Sequence, residues 1–262
     1  MKYRRLVLFI LLTTPPAVAY ATSIVGIWTE KQITIAADSK QTVTDQNGNI
    51  IGSRQGCKIF QVRGIVFALS GLAAAEQISV TDEIKNAHEL TEMGTGKKLP
   101  VDSIVVAADG ALLKMLKARS ATSDMNMPID LLIAGMIDGK LQMIRETTEG
   151  MQIQGPFAAP QKSGRITYPD GRGHDHSDSN RGIESLGLEN AINKFKTVLP
   201  EWNKGDDVAV ARRLVGIEAS DTRDSQFVGP PISTIIIHKE GMQWIDRGKC
   251  DWDVPKPEKN SR

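Results

Sequence analysis

The sequence predicts an α+β protein whose helices are layered against antiparallel sheets. Three observations predict it. The elements run in the order strands, helices, strands, helices, strands. The first strand-like runs are short, β-branched and close together, as hairpins are. Asp138-Gly139 divides two further apolar runs with a dipeptide typical of a hairpin turn.

Taken in order, residues 22–72 supply the runs "TSIVGIWT", "ITIAADS", "KIFQV" and "GIVFALSGL", with the turn-rich stretch "TDQNGNIIGSRQG" among them. Two helical stretches follow, Leu72 to Met93 and Val101 to Ala118, the first Ala-rich and the second with apolar residues at helical spacing. Strands resume in "IDLLIAGMIDGKLQMIRET". Residues 147–182 are rich in Gly, Pro, Ser and Asp and read as a loop or insertion. A helix near Leu188 to Leu199, a second from about Asp206 to Glu218, and the strands "ISTIIIHK" and "MQWIDRG" complete one domain over residues 22–248. Residues 249–262 read as a disordered, Pro-rich tail.

The first 21 residues have a different grammar. Lys2, Arg4 and Arg5 precede the apolar run Leu6 to Leu12, a Thr/Pro break and the triplet Ala19-Tyr20-Ala21. That is the pattern of a secretory signal peptide cut after Ala21, since seven apolar residues fall far short of the about 20 that span a bilayer. The expected product is an exported, soluble chain that begins at Thr22. Removing those three cations takes the formal charge from +1 to −2, and no basic stripe with interleaved aromatics remains. Nucleic acid is therefore not an expected partner. Cys57 and Cys250 would enter an oxidising compartment, where either a disulfide or two unpaired thiols fits the sequence.

An N-terminal threonine carries its own base. Its hydroxyl is a weak nucleophile, but the α-amine beside it has a pKa of roughly 7.7–8.0 and can take the hydroxyl proton. Such a site also needs a cation to keep the amine neutral, a carboxylate to hold that cation, and N–H donors for the oxyanion. Lys58, Asp38 and Ser70-Gly71 are candidates for these parts. No metal or organic cofactor is required.

The passage "TSIVGIWTEKQITIAADSK" resembles the opening of proteasome β subunits and of the bacterial proteasome-like protease subunit, with Asp38 sixteen residues after Thr22. Lys58-Ile59 is similar to that family's Lys-Val/Ile step, displaced by four residues. "IVFALSGLAAAE" resembles its strand-Gly-helix passage, "DLLIAGMIDGKLQMI" its central hairpin, and "RDSQFVGPP" its Arg-Asp motif. The resemblance implies a four-layer αββα sandwich of two antiparallel sheets flanked by helices, the N-terminal-nucleophile (Ntn) hydrolase fold. It implies Thr22 as nucleophile, Lys58 and Asp38 as its charge partners, Gly71 as an oxyanion donor and Asp224 as a supporting carboxylate. The substrate implied is a peptide, and the family's rings imply a homo-oligomer.

The chain departs from the family pattern twice. Ser185-Leu186-Gly187 stands where the family has Gly-Ser-Gly, and Phe227 stands where it has a serine after the Arg-Asp pair, with Ser225 close by. Both changes remove hydroxyls that would orient the amine. A small-molecule amidase and a non-catalytic binding or assembly module on the same fold are the alternative readings. The cluster His174, Asp175, His176 and Asp178 reads as a solvated loop rather than a metal site, because closed sites draw ligands from more than one segment.

Overall fold

The computed structural model describes residues 17–20, 22–44, 50–62, 64–75, 77–95, 101–118, 128–154, 157–169, 175–178, 180–187, 194–221, 225–248 and 250. They form a mixed, mostly β structure in which every strand pairing is antiparallel. The first strands are β1 (Ala17–Tyr20), β2 (Ser23–Thr29), β3 (Gln32–Asp38), β4 (Lys40–Thr44), β5 (Ile50–Gln55), β6 (Ile59–Val62), β7 (Ile65–Ala75) and β8 (Ile78–Ser79). Helices α1 (Val80–Thr95) and α2 (Val101–Ala118) follow, then β9 (Ile129–Ile137), β10 (Lys140–Gln154), β11 (Phe157–Tyr168), β12 (Asp175–Asp178) and β13 (Arg181–Gly187). A 3₁₀ turn at Phe195–Val198 leads into α3 (Leu199–Lys204) and α4 (Asp207–Ser220), and β14 (Ile232–His238) and β15 (Gly241–Asp246) complete the order.

One sheet runs β11-β10-β9-β7-β1-β4-β5, with β6 and β8 also paired to β7; the other runs β12-β13-β2-β3-β14-β15. Strands β2 and β3 read as nearly continuous apolar runs because both their faces are buried. Ile24 and Trp28 face a core shared with Val66, Ala68 and Leu132 of the first sheet, while Val25 and Ile27 face Val210 and Leu214 of α4. The opposite face of β7, through Phe67 and Leu69, meets α1 and α2. The chain crosses from the second sheet to the first at Ser39, between β3 and β4. None of the described helices is long and apolar enough to cross a membrane.

Four expectations change. The Ala-rich segment expected as a helix from Leu72 continues β7 to Ala75, because pairing with β1 and then β8 outweighs its helix propensity. The helix starts instead after Ser79, whose hydroxyl accepts the Asp82 N–H at 3.3 Å as an N-cap. The turn-rich stretch before Cys57 contains β5, an edge strand with all six residues exposed. The polar segment 147–182 contains the end of β10, all of β11, and β12. Lys162 of β11 bonds Asp109 of α2 at 2.9 Å and Arg165 bonds Glu146 of β10 at 2.6 Å, while among the strand's described side chains only Ile166 and Tyr168, at its end, turn toward the core between the sheets. Finally, of the helix expected at Leu188 to Leu199, residues 188–193 lie outside the described residues and 195–198 form the 3₁₀ turn. Pro200 lies in the first turn of α3, where a missing N–H costs nothing.

A disulfide joins Cys57 to Cys250 across 193 residues of sequence, and both cysteines are buried in the core under α1 and α2. The rest of the expected tail, residues 251–262, lies outside the described residues. A cross-link closing so long a loop removes much of the unfolded chain's freedom. Reduction, or the pair Cys57→Ser and Cys250→Ser, is expected to lower unfolding stability by about 2–5 kcal/mol in urea denaturation.

Candidate active site around Thr22

Thr22 immediately precedes β2 and is fully buried, and its Oγ1 has no hydrogen-bond partner among the described residues. The Thr22 hydroxyl is placed by its backbone and by no side-chain hydrogen bond among the described residues. The constraint on that backbone comes from Asp38 at the end of β3. Its Oδ1 accepts the Ser23 N–H at 3.0 Å and the Lys58 ammonium at 2.6 Å. Its Oδ2 accepts the N–H groups of Lys40 at 2.9 Å and Gly229 at 3.2 Å. One carboxylate thus binds the residue after Thr22, the candidate cation, the start of β4 and the approach to β14.

Lys58 and Asp38 are each 1% exposed. Burial pushes the Lys58 ammonium down from the usual 10.5 to about 8, against the pull of Asp38's charge and hydrogen bond. The backbone around Lys58 is fixed from two sides. Its carbonyl accepts the Leu69 N–H of β7 at 3.2 Å, and the Gly56 N–H donates to Ser39 O at 2.8 Å. At neutral pH this is a positive charge almost closed to water, sharing Asp38 Oδ1 with the amide that follows Thr22.

Gly71 lies within β7, with Tyr20 of β1 opposite it on one edge and Ile129 of β9 on the other. The strand-to-helix turn expected here is absent, but the glycine is still required. Its φ is +95°, and a Cβ would stand 1.9 Å from the Pro128 carbonyl oxygen. Asp224 lies outside the described residues. Its neighbour Ser225 does approach the site, since its carbonyl accepts the Lys40 ammonium at 2.7 Å. Leu186 is buried in the core between the sheets beside Ile24, and Phe227 is half-buried.

Sequence reasoning missed Lys40 and Gly229 as Asp38 donors and Gly187 as a neighbour of Thr22. Gly187 has φ +91°, and a Cβ there would fall 1.8 Å from the Thr22 carbonyl oxygen and 3.0 Å from Ser70 Oγ. Its position in the Ser185-Leu186-Gly187 triplet was the available signal.

The segment expected as the end of a leader lies within the sheet. Strand β1 fills the gap between β7 and β4, with Ala19 opposite Leu72 on one side and Thr42 on the other. It runs to Tyr20, two residues before Thr22. The chain there is extended, paired antiparallel on both edges, and leads toward Thr22. Of the histidine cluster, His174 lies outside the described residues, and β12 runs through Asp175–Asp178. Among the described residues no three His, Cys, Asp or Glu side chains gather as metal ligands. No family model and no curated protein matches the chain.

The buried pair makes stability depend on pH. Unfolded, Lys58 keeps its proton up to about 10.5; folded, it yields it near 8, so between these values the unfolded chain holds more protons and stability rises with pH. Urea denaturation at pH 7.5 and 9.5, on the order of the window's width, is expected to show that rise in the native protein and to lose its Lys58 part in the double variant Asp38→Asn/Lys58→Met, which removes both buried charges.

Proposed function

We propose that this protein is an exported threonine-type Ntn hydrolase that cleaves amide bonds in peptides bound as extended strands, activated when removal of residues 1–21 exposes Thr22. The observation that carries the reading is the shared carboxylate: Asp38 holds both the Ser23 amide and the Lys58 ammonium, at the point where β1 hands over to the nucleophile. The succession of α1 and α2, two stacked antiparallel sheets, and α4 supports the αββα sandwich that the sequence resemblance implies. The two-edged gap holding β1 favours a peptide over a small amide, because four consecutive residues find backbone partners there.

In this mechanism the α-amine of Thr22 takes the proton from its own hydroxyl, and Oγ1 attacks the carbonyl carbon of the bound peptide. The Lys58 charge disfavours a second cation on the amine and so keeps its lone pair free. The Gly71 N–H meets the developing oxyanion. The tetrahedral centre collapses as the C–N bond breaks, and the leaving nitrogen takes the proton that the amine carried. Water, activated by the same amine, then hydrolyses the Thr22 ester.

While Ala21 is attached, the Thr22 nitrogen is an amide with no basic lone pair and the hydroxyl has no acceptor. Protein whose N-terminus is Thr22 is expected to take up a peptide-like epoxyketone or β-lactone at Thr22, read by intact mass and peptide mapping. A form carrying two extra residues before Thr22, and Thr22→Ala, are expected to stay unlabelled; Thr22→Ser is expected to retain some labelling, because it keeps hydroxyl and amine together. Equal labelling of the extended form would remove the N-terminal amine from the mechanism, and no labelling of any form would favour a binding or assembly module.

A further inference from the structure

The family resemblance leaves one gap in the site. The hydroxyl that its Gly-Ser-Gly triplet would bring to the threonine amine is missing, because Leu186 fills the core there. Another hydroxyl stands close by, on the facing sheet. Ser70 precedes Gly71 in β7, is 3% exposed, and shares its face of the strand with Val66 and Ala68, which line the space between the sheets. Its Oγ and the Thr22 carbonyl oxygen flank the single point where a Gly187 side chain would begin, at 3.0 and 1.8 Å. The Thr22 nitrogen is one Cα away from that carbonyl. A side chain at position 187 would stand against both the Thr22 carbonyl and the Ser70 hydroxyl.

We propose that Ser70 is a positioning residue for the nucleophile, its hydroxyl accepting a hydrogen bond from the freed Thr22 amine and turning the amine's lone pair toward Oγ1. The inference rests on the hydrolase reading above. The charged groups around this point are Asp38 at the end of β3, Lys58 before β6 and Lys40 on β4, with Asp130 of β9 opposite Ser70 in register. Asp130 is already engaged by Thr147 at 2.5 Å and Arg145 at 3.6 Å, and Lys40 by the Ser225 carbonyl. A hydroxyl oxygen accepting from the amine favours its charged form, so it raises the amine's pKa where Lys58 lowers it.

The test expresses the full sequence, recovers protein whose N-terminus is Thr22, and measures the rate of acylation by a peptide β-lactone against pH. In that reaction Oγ1 attacks the lactone carbonyl, the ring C–O bond breaks, and the hydroxyl proton passes through the amine to the released alkoxide. Ser70→Ala is expected to lower the plateau rate roughly five- to tenfold, the worth of one hydrogen bond. It is also expected to move the acid limb to lower pH, because the charged amine has lost an acceptor. Ser70→Thr, which returns the hydroxyl, is expected to restore the limb. A limb that stays in place or moves upward in Ser70→Ala overturns the proposal, since loss of packing alone changes amplitude and not the pKa. A limb that Ser70→Thr leaves displaced also counts against the hydroxyl. Absence of label on native protein overturns the hydrolase reading itself, and this inference with it; a labelled native protein with an unmoved limb overturns this inference alone.

Discussion

The carboxylate of Asp38 is the constraint on which the site depends. Four donors reach its two oxygens, from the start of β2, the start of β4, the lysine before β6 and the glycine before β14. Each comes from a different part of the chain, and together they include both sheets. The Lys58 ammonium can be buried because this carboxylate faces it at 2.6 Å. Removing one member of such a buried pair costs about 3–5 kcal/mol, because the other is left charged and unmatched. Site and fold are therefore hard to vary separately here. The same contacts that hold Lys58 also fix where the chain passes between the sheets.

How much of this was legible depends on which residues carried an apolar signal. Strands β2, β3, β7 and β9 were readable because their side chains are buried and their sequences are correspondingly apolar. Helix α2 was readable to the residue, since one of its faces fills the core with Ile104, Ala108, Leu112 and Met115. Strands β5 and β11 were not: the first is exposed along its length, and the second is tied down by Lys162 and Arg165, so neither writes an alternation into the sequence. Gly71 was legible as a residue of the site but not in its setting, because ladder pairing on both edges, a tertiary effect, decided between strand and helix.

Asp38 was found by its interval from Thr22 and Lys58 by its Lys-Ile step at the start of a strand, and the structure brings them together at 2.6 Å. Gly187 showed only as the end of the Ser185-Leu186-Gly187 triplet, and Lys40 and Gly229 were out of reach for a physical reason. A backbone N–H donates whatever the side chain, and a glycine required by a close approach looks in sequence like a glycine required by a turn. The two cysteines were undecidable for a similar reason, because 193 residues separate two sulfur atoms that only the completed fold brings into contact.

The strand formed by Ala17–Tyr20 has a consequence in competition between ligands. As long as the Ala21–Thr22 bond is intact, that strand is a tethered occupant of the gap between β4 and β7, and a short tether gives it an effective concentration on the order of millimolar. Free peptides at ordinary concentrations would be outcompeted by it. Under the proposed cut after Ala21, the same residues become a dissociable product whose hold falls with dilution. On the proposed reading, the gap then passes from a ligand that cannot leave to ligands that compete by mass action, and turnover is set by how quickly each departs.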